Sequence, residues 1–185
     1  MSQLVTKEEY YDAALEVLAQ LGFKGLNIGV LCKRLGVTSG SFYHHFGNWQ
    51  GFVASLLDSW ENRQIVVLRE QAFGTAGPQN DLALLISLTL DLNHSAEAAI
   101  RAWSRNDETV GIVQKRVDNG RYKTNFKVIK AIVGDRRVAR VVTALGSAVL
   151  VGYQQQSTDD DHAELSELLD EYVRLIYSHS TLKPV

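Results

Sequence analysis

The chain has 185 residues, 45% apolar and 22% charged, with two prolines, one cysteine and a formal net charge of −2. That composition is enough to bury a core, and it excludes a disordered chain, a disulfide framework, a cysteine-based zinc site and a strongly basic protein. So few prolines favour a chain built of helices, because an interior proline removes a helical hydrogen bond and clashes with the preceding turn.

The first residues, MSQLVTKEEYY, lack the apolar stretch of a signal peptide. The most apolar run, Val141 to Tyr153, is too short to span a bilayer. The expectation is a cytoplasmic protein with no membrane partner, which agrees with the lone cysteine. Thr6-Lys7-Glu8-Glu9 has the form of a capping box, and Tyr10, Ala14, Val17, Leu18 and Leu21 follow at helical spacing. Gly22 is read as the end of this first helix. Asn27 is placed to cap a short second helix whose apolar face is Ile28, Leu31, Cys32 and Leu35, stopped by Gly36. Cys32 on that face reads as a small core residue. Thr38 is placed to cap a third helix, with Phe42 and Phe46 four apart on its buried side. Three short helices with a tight glycine turn before the third form a helix-turn-helix pattern, and neither of the last two is long enough to persist alone.

Charge is distributed unevenly. No acidic residue occurs between Glu16 and Asp58, and Lys24, Lys33 and Arg34 lie inside that window. Such a segment can approach a polyanion without repulsion, although its positive charge is sparse. Its centre, GVTSGSFYHHF from Gly36 to Phe46, holds no carboxylate, Lys or Arg. Adjacent helical residues diverge by about 100°, so His44 and His45 do not read as a metal-ligand pair. The glycines lack the Gly-Lys-Ser/Thr ending of a phosphate-binding loop.

Beyond Asn48, itself a cap candidate, a long helix carries Trp49, Phe52, Val53, Leu56, Leu57 and Trp60 on one face, extended by Val67 and Leu68. The run from Gly74 to Pro78 breaks the chain. Leu82 to Leu92 is apolar nearly all round, as a central buried helix would be. Helices are expected over Ser95 to Ser104 and Thr109 to Val133, the second ended by Gly134-Asp135. The helix Arg136 to Tyr153 carries Ala144, Ala148 and Gly152 at steps of four; a polar loop, Gln154 to Asp161, separates it from a stripe of Leu165, Leu168, Leu169, Tyr172, Val173 and Ile176. These two helices, about 136–153 and 162–178, are suited to pairing with the same two of a second subunit in a four-helix bundle.

On the residues Ala13-Ala14, Gly22-Phe23 and Gly36 to Phe46, and from about Tyr10 to Leu57, the sequence resembles the TetR family of one-component transcriptional regulators. The resemblance implies an all-α fold: a three-helix DNA-binding head with a helix-turn-helix over 1–47, then a larger helical ligand-binding and dimerisation domain over 48–185. It implies double-stranded DNA, a small-molecule effector and a second copy as partners, with no cofactor. Thr38, Ser39, Gly40, Ser41, Tyr43, His44 and His45 fall on the turn and recognition helix. Small residues at its start permit close approach to a major groove roughly 12 Å wide. Asn27 and Lys33 are candidates for phosphate contact. Where the family commonly places a Lys near the start of the fourth helix, this chain has Trp49. Gly29 stands where an early residue of the second helix is often basic.

The resemblance also implies a ligand held among the central helices. Trp60, Leu85, Leu88, Thr89, Trp103, Tyr122 and Phe126 are the candidate lining residues, with Arg101 or His94 as a polar fixture, for an apolar aromatic or acyl molecule; core packing is the competing role of each. The expected function is a dimeric repressor of a palindromic operator, released by a small molecule. The alternatives are an all-helical enzyme and a helical interaction protein with a vestigial helix-turn-helix. Glu97, Asp107 and Glu108, the carboxylates an enzyme would use, read as solvated or capping residues.

Overall fold

The computed structural model describes residues 5–70, 77–156 and 163–180, the last six of the first stretch by backbone alone. Among them are nine α-helices and no strand: α1 (Lys7–Gly25), α2 (Ile28–Leu35), α3 (Ser39–Phe46), α4 (Trp49–Glu70), α5 (Pro78–Leu90), α6 (His94–Ser104), α7 (Glu108–Val133), α8 (Arg136–Gln156) and α9 (Ala163–Ser178). The all-α expectation holds.

Packing gathers these helices into two units. The first comprises Met1–Gln64 with Asn93–Arg116. Its first helix begins where the capping box dictates: the Glu9 N–H donates to the Thr6 hydroxyl (3.3 Å) and the Thr6 N–H donates to the Glu9 carboxylate (2.7 Å). That backbone N–H, joined by the Thr6 hydroxyl, holds the Glu9 carboxyl below its usual range. Gly22 does not end α1 outright. It takes φ 66° and ψ 179°, interrupting the regular turn, and a further helical stretch runs to Gly25 before the chain closes with the Leu26 N–H on the Phe23 carbonyl. A positive φ of this kind favours glycine. Tyr10, Ala13, Ala14, Val17 and Leu18 are buried.

In the same unit α6 packs along α1, and the Phe23 ring stacks on Trp103 (6.5 Å, 7°). Phe52, Val53, Leu56, Leu57 and Trp60 of α4 are buried as the periodicity predicts; the side chains of Val67 and Leu68 lie outside the described residues. Glu97 corrects the sequence reading. It is buried rather than solvated, and it accepts the Trp60 indole N–H at 2.9 Å. Periodicity missed it because Glu97 shares the inward face of α6 with Ala96, Ile100 and Trp103, and a buried carboxylate is tolerated only with hydrogen-bond donors at hand. Asp107 does cap, accepting the Val110 N–H at 3.2 Å, and Glu108 is exposed. The Arg116 guanidinium forks onto Glu61 (Nε to Oε1 2.8 Å), joining α7 to α4 and pulling the Glu61 carboxyl below its usual range.

The second unit comprises Ile65–Leu92 with Val117–Val185. Its core joins Leu82 and Leu85 of α5, Val128, Ile129, Ile132 and Val133 of α7, Ala139 and Val142 of α8, and Ile176 of α9. Tyr153, Leu165 and Leu169 form a second cluster. The expectation that Leu82 to Leu92 is buried all round is not met within this unit: Leu82 and Leu85 are buried, Ala83 and Ser87 are not, and the helix ends at Leu90. Gln154–Gln156, expected in a loop, continue α8, as the good helix propensity of glutamine allows; residues 157–162 lie outside the described residues, as do 74–76 of the expected Gly-Pro break.

The close approach of α8 and α9 is made at Gly146, not at the stripe of Ala144, Ala148 and Gly152. A Cβ on Gly146 would lie 2.5 Å from Tyr172 Cζ and 2.9 Å from its Cε1, whereas Ala144 is exposed and Gly152 faces open space. The Tyr172 hydroxyl donates to the Val142 carbonyl at 2.9 Å, and burial pushes that hydroxyl's pKa well above its usual value. Gly146→Ala is expected to displace the Tyr172 ring and lower stability by about 1–3 kcal/mol, although Gly→Ala in a helix normally stabilises. Urea unfolding at constant m-value measures this.

Candidate nucleic-acid interface

The helix-turn-helix is set by backbone hydrogen bonding that the sequence announces. The Asn27 side chain accepts the Val30 N–H at 3.0 Å and donates one amide hydrogen to the Gly25 carbonyl at 3.2 Å, which fixes it at the start of α2. Gly36 adopts the left-handed conformation (φ 65°, ψ 30°), and the Val37 N–H reaches back to the Cys32 carbonyl at 3.0 Å. Thr38 occupies the N-cap position of α3 in extended backbone, but its side chain makes no capping bond. The hydroxyl was expected to cap; the structure leaves this exposed threonine's role to its backbone, with the Ser41 N–H on the Thr38 carbonyl at 3.1 Å.

Helix α3 divides cleanly into an inward and an outward side. Phe42 (0% exposed) and Phe46 (9%) are buried among Tyr10, Phe52 and each other, with ring centroids 5.0–5.9 Å apart. Burying such a ring contributes about 1.5–3 kcal/mol, so an eight-residue helix unable to persist alone is held from behind. Ser39, Gly40, Tyr43 and His44 are exposed, Tyr43 by half. They form one outward strip that bears no carboxylate. Ser41 and His45 occupy the shoulder between the two sides. The Tyr10 hydroxyl donates to Ser41 Oγ at 3.3 Å, and the His45 ring stands edge-on to Tyr10 at 5.6 Å. Burial raises the Tyr10 pKa, so this hydroxyl stays a donor. No sequence signal points to this link, which spans 31 residues. Tyr11 makes the corresponding contact to Ser55 of α4.

Positive charge around this strip is thinner than a count of basic residues suggests. Lys33 is exposed on α2. Arg34 is bound to Glu16 at 2.7 Å and to Gln20. Trp49 lies against Phe42 (6.4 Å, 20°) and Phe52 (5.3 Å), so it extends the aromatic backing of α3. Lys7, which the sequence reading passed over, holds its ammonium 5.7 Å from the centre of the Phe46 ring. Its signal was present in the capping box, since Lys7 opens the helix whose fourth residue, Tyr10, touches α3. Cys32 is buried, and that burial raises its thiol pKa, as befits a core residue.

The expected effector residues fall into two groups. Trp60, His94, Arg101 and Trp103 belong to the first unit, where Trp60 is tied to Glu97 and Trp103 to Phe23. Leu85, Leu88, Thr89, Tyr122 and Phe126 belong to the second. There Leu85 is buried in the core, Phe126 packs against it, and Tyr122 is stacked on Phe126 (6.2 Å, 8°). Leu88 is half-buried, and the Thr89 hydroxyl donates to the Leu85 carbonyl at 2.7 Å.

Residues 11–56 match the family described as bacterial regulatory proteins, tetR family. An HTH-type transcriptional regulator BetI from Proteus mirabilis is 21% identical over 92% of this chain and 91% of its own length. Other regulators of that name align over only about half of theirs. A crystal structure of a transcriptional regulator from Rhodococcus superposes with a TM-score of 0.78 at 20% identity, covering 97% of this chain and all of that one. Another from Saccharomonospora viridis, in complex with choline, gives 0.76 at 14% identity over 96% and 98% of the two chains. At these identities the structural likenesses establish the fold.

Proposed function

Because the chain belongs to the TetR family of bacterial regulatory proteins, we infer that it is a ligand-responsive DNA-binding regulator that represses from a palindromic operator as a homodimer. The observation that carries this reading is the outward strip of Ser39, Gly40, Tyr43 and His44, without carboxylates, free of bulk at its leading end and fixed from behind by aromatic rings. Residues 1–47 read the duplex, and residues 48–185 bind the effector and pair the subunits. Ser39 and Ser41 offer hydroxyls to base edges or phosphate beside the free N–H groups that open α3. Thr38 and Gly40 permit the approach. Tyr43 and His44 reach backbone or base, His45 adds a donor from the shoulder, and Asn27 and Lys33 meet phosphate at the start and end of α2.

The effector is a small apolar molecule. Leu85, Leu88, Thr89, Tyr122 and Phe126 form the better-knit set of candidate contacts, while Trp60, Arg101 and Trp103 are the further candidates. An effector that binds better to the state whose heads miss their half-site spacing, roughly 34–36 Å or a multiple, lowers operator affinity by that difference. No helix among the described residues is long and apolar enough to cross a membrane. An enzymatic role is the weaker reading, since the buried carboxylate Glu97 is engaged by Trp60.

Duplexes selected from a random pool should converge on a palindrome. On that duplex Tyr43→Ala with His44→Ala should weaken binding about tenfold or more, since a polar link to base or phosphate is worth about 1–3 kcal/mol. Sedimentation should show the oligomer unchanged. Unaltered affinity in the double variant would exclude the α3 strip as the reading surface. With few phosphate-facing cations, the dependence of log affinity on log salt should also be shallow, with a slope of about −4 or smaller in magnitude.

A further inference from the structure

Behind the outward strip of α3 stands a tyrosine whose hydroxyl has a fixed address. Tyr10 lies near the start of α1 and is fully buried. Its ring meets three rings of α3: Phe42 at 5.9 Å, His45 at 5.6 Å and Phe46 at 5.2 Å, each steeply inclined to it. A ring packed on several sides has little freedom to swing, so the core decides where its hydroxyl stands. That place is 3.3 Å from Ser41 Oγ, to which the hydroxyl donates. A phenylalanine would fill the same core. The hydroxyl is the part of Tyr10 that packing does not require.

The direction of this hydrogen bond decides what Ser41 can do. A serine hydroxyl is a rotor with one proton and two lone pairs, and it ordinarily gives or accepts with equal ease. Here Tyr10 supplies a proton to one lone pair from the inner side. The proton of Ser41 is thereby turned away from α1, and no group among the described residues accepts it. Ser41 is half-buried on the shoulder of α3, beside the exposed strip of Ser39, Gly40, Tyr43 and His44. A phosphate oxygen accepts and has nothing to donate, whereas base edges in the groove present donors and acceptors alike. A serine held as a donor on the flank of the helix matches the backbone of a duplex better than its bases.

We propose that Tyr10 is a positioning residue for DNA binding, holding the Ser41 hydroxyl outward as a donor to a phosphate oxygen of the duplex. The inference rests on the DNA-binding reading above and narrows the contact of Ser41 to the backbone. It also gives a head with few available cations a neutral anchor. A hydroxyl already oriented loses little freedom on binding, so more of its hydrogen bond appears as affinity.

Tyr10→Phe keeps the ring and deletes the hydroxyl, Ser41→Ala deletes the donor, and the double variant closes the cycle. Each is measured by fluorescence anisotropy on a duplex selected from a random pool, well below its unfolding midpoint, with circular dichroism confirming the helix content. Tyr10→Phe should weaken binding about threefold per head and Ser41→Ala about tenfold per head, squared where two heads hold one duplex. The double variant should bind as Ser41→Ala does, because Tyr10 acts only through Ser41. The dependence of log affinity on log salt should keep its slope in all three, since no cation is removed. A head that had loosened as a whole would displace its cations and change that slope. An unaltered chain that selects no duplex would overturn the DNA-binding reading itself. An unaltered chain that binds, with a Tyr10→Phe variant that binds as tightly, would overturn the positioning role, as would losses that add in the double variant. Relaxed preference at one base position in Ser41→Ala would overturn the assignment to phosphate.

Discussion

Gly51→Ala is expected to cripple the DNA-binding head, even though the residue lies two positions inside α4, where alanine is ordinarily the better helix former by about 1 kcal/mol. A Cβ at this position would fall far inside contact distance of the Phe46 carbonyl oxygen, which is backbone and cannot rotate away. The surroundings allow little retreat. The Gly51 N–H is capped by Asn48 Oδ1 at 2.8 Å, and the Gly47 N–H, at φ 74°, closes α3 on the Tyr43 carbonyl at 2.8 Å. Relief therefore comes by moving residues 46–48, which carries the end of α3 away from the start of α4 and disturbs the Phe42–Phe46–Phe52 packing. The expected loss is about 1–3 kcal/mol of stability, seen by thermal unfolding. Operator affinity should fall further than the lost stability explains when measured well below the unfolding transition. Gly29→Ala is the control. It also lies inside a helix, but its nearest neighbour would be Asn27 Oδ1 at 3.4 Å, so it should leave stability unchanged or slightly raised. If Gly51→Ala bound its operator as well as the unaltered chain, the turn between α3 and α4 would not be what aims the recognition helix.

How far this site was legible in the sequence follows from which interactions are local. The capping box at Thr6, the Asn27 and Asn48 caps, the Gly36 turn and the Phe42/Phe46 face were all readable, because each is decided within four residues of chain. What the sequence withheld is long-range. The hydroxyl pairs Tyr10–Ser41 and Tyr11–Ser55 cross 31 and 44 residues. The burial of Glu97 depends on Trp60, 37 residues earlier. Arg34, counted from sequence as available charge, is engaged by Glu16 on the neighbouring helix. Small-residue spacing pointed to Ala144, Ala148 and Gly152 as the place where α8 meets another helix within the chain or beyond it. Only the position of the Tyr172 ring separates the two cases, assigning close intrachain contact to Gly146 and leaving the stripe open. Periodicity finds a face; it does not say which neighbour that face meets.

The sparse charge of the head gives the proposed subunit interface a direct bearing on DNA affinity. On the dimer reading proposed above, a single head offers few cations and a short uncharged strip, so its hold on a half-site should be weak, and useful affinity should require two heads bound together. Val141→Asp with Leu145→Asp should therefore act on DNA binding without touching the head. Both side chains are nearly half-exposed, at 49% and 45%, so the variant subunit should fold as before. Its dimer should not form, because two carboxylates per copy would be buried without partners at the centre of the interface. Affinity for a palindromic duplex should drop about 100-fold or more, the usual scale of a lost second attachment. Affinity for an isolated half-site should change little. Sedimentation velocity and duplex binding on the same preparations separate the outcomes. A variant that stays dimeric would place the interface elsewhere than on α8. A monomer that still held the full palindrome as tightly as the unaltered chain would show that each head binds independently and that its sparse charge suffices for full affinity.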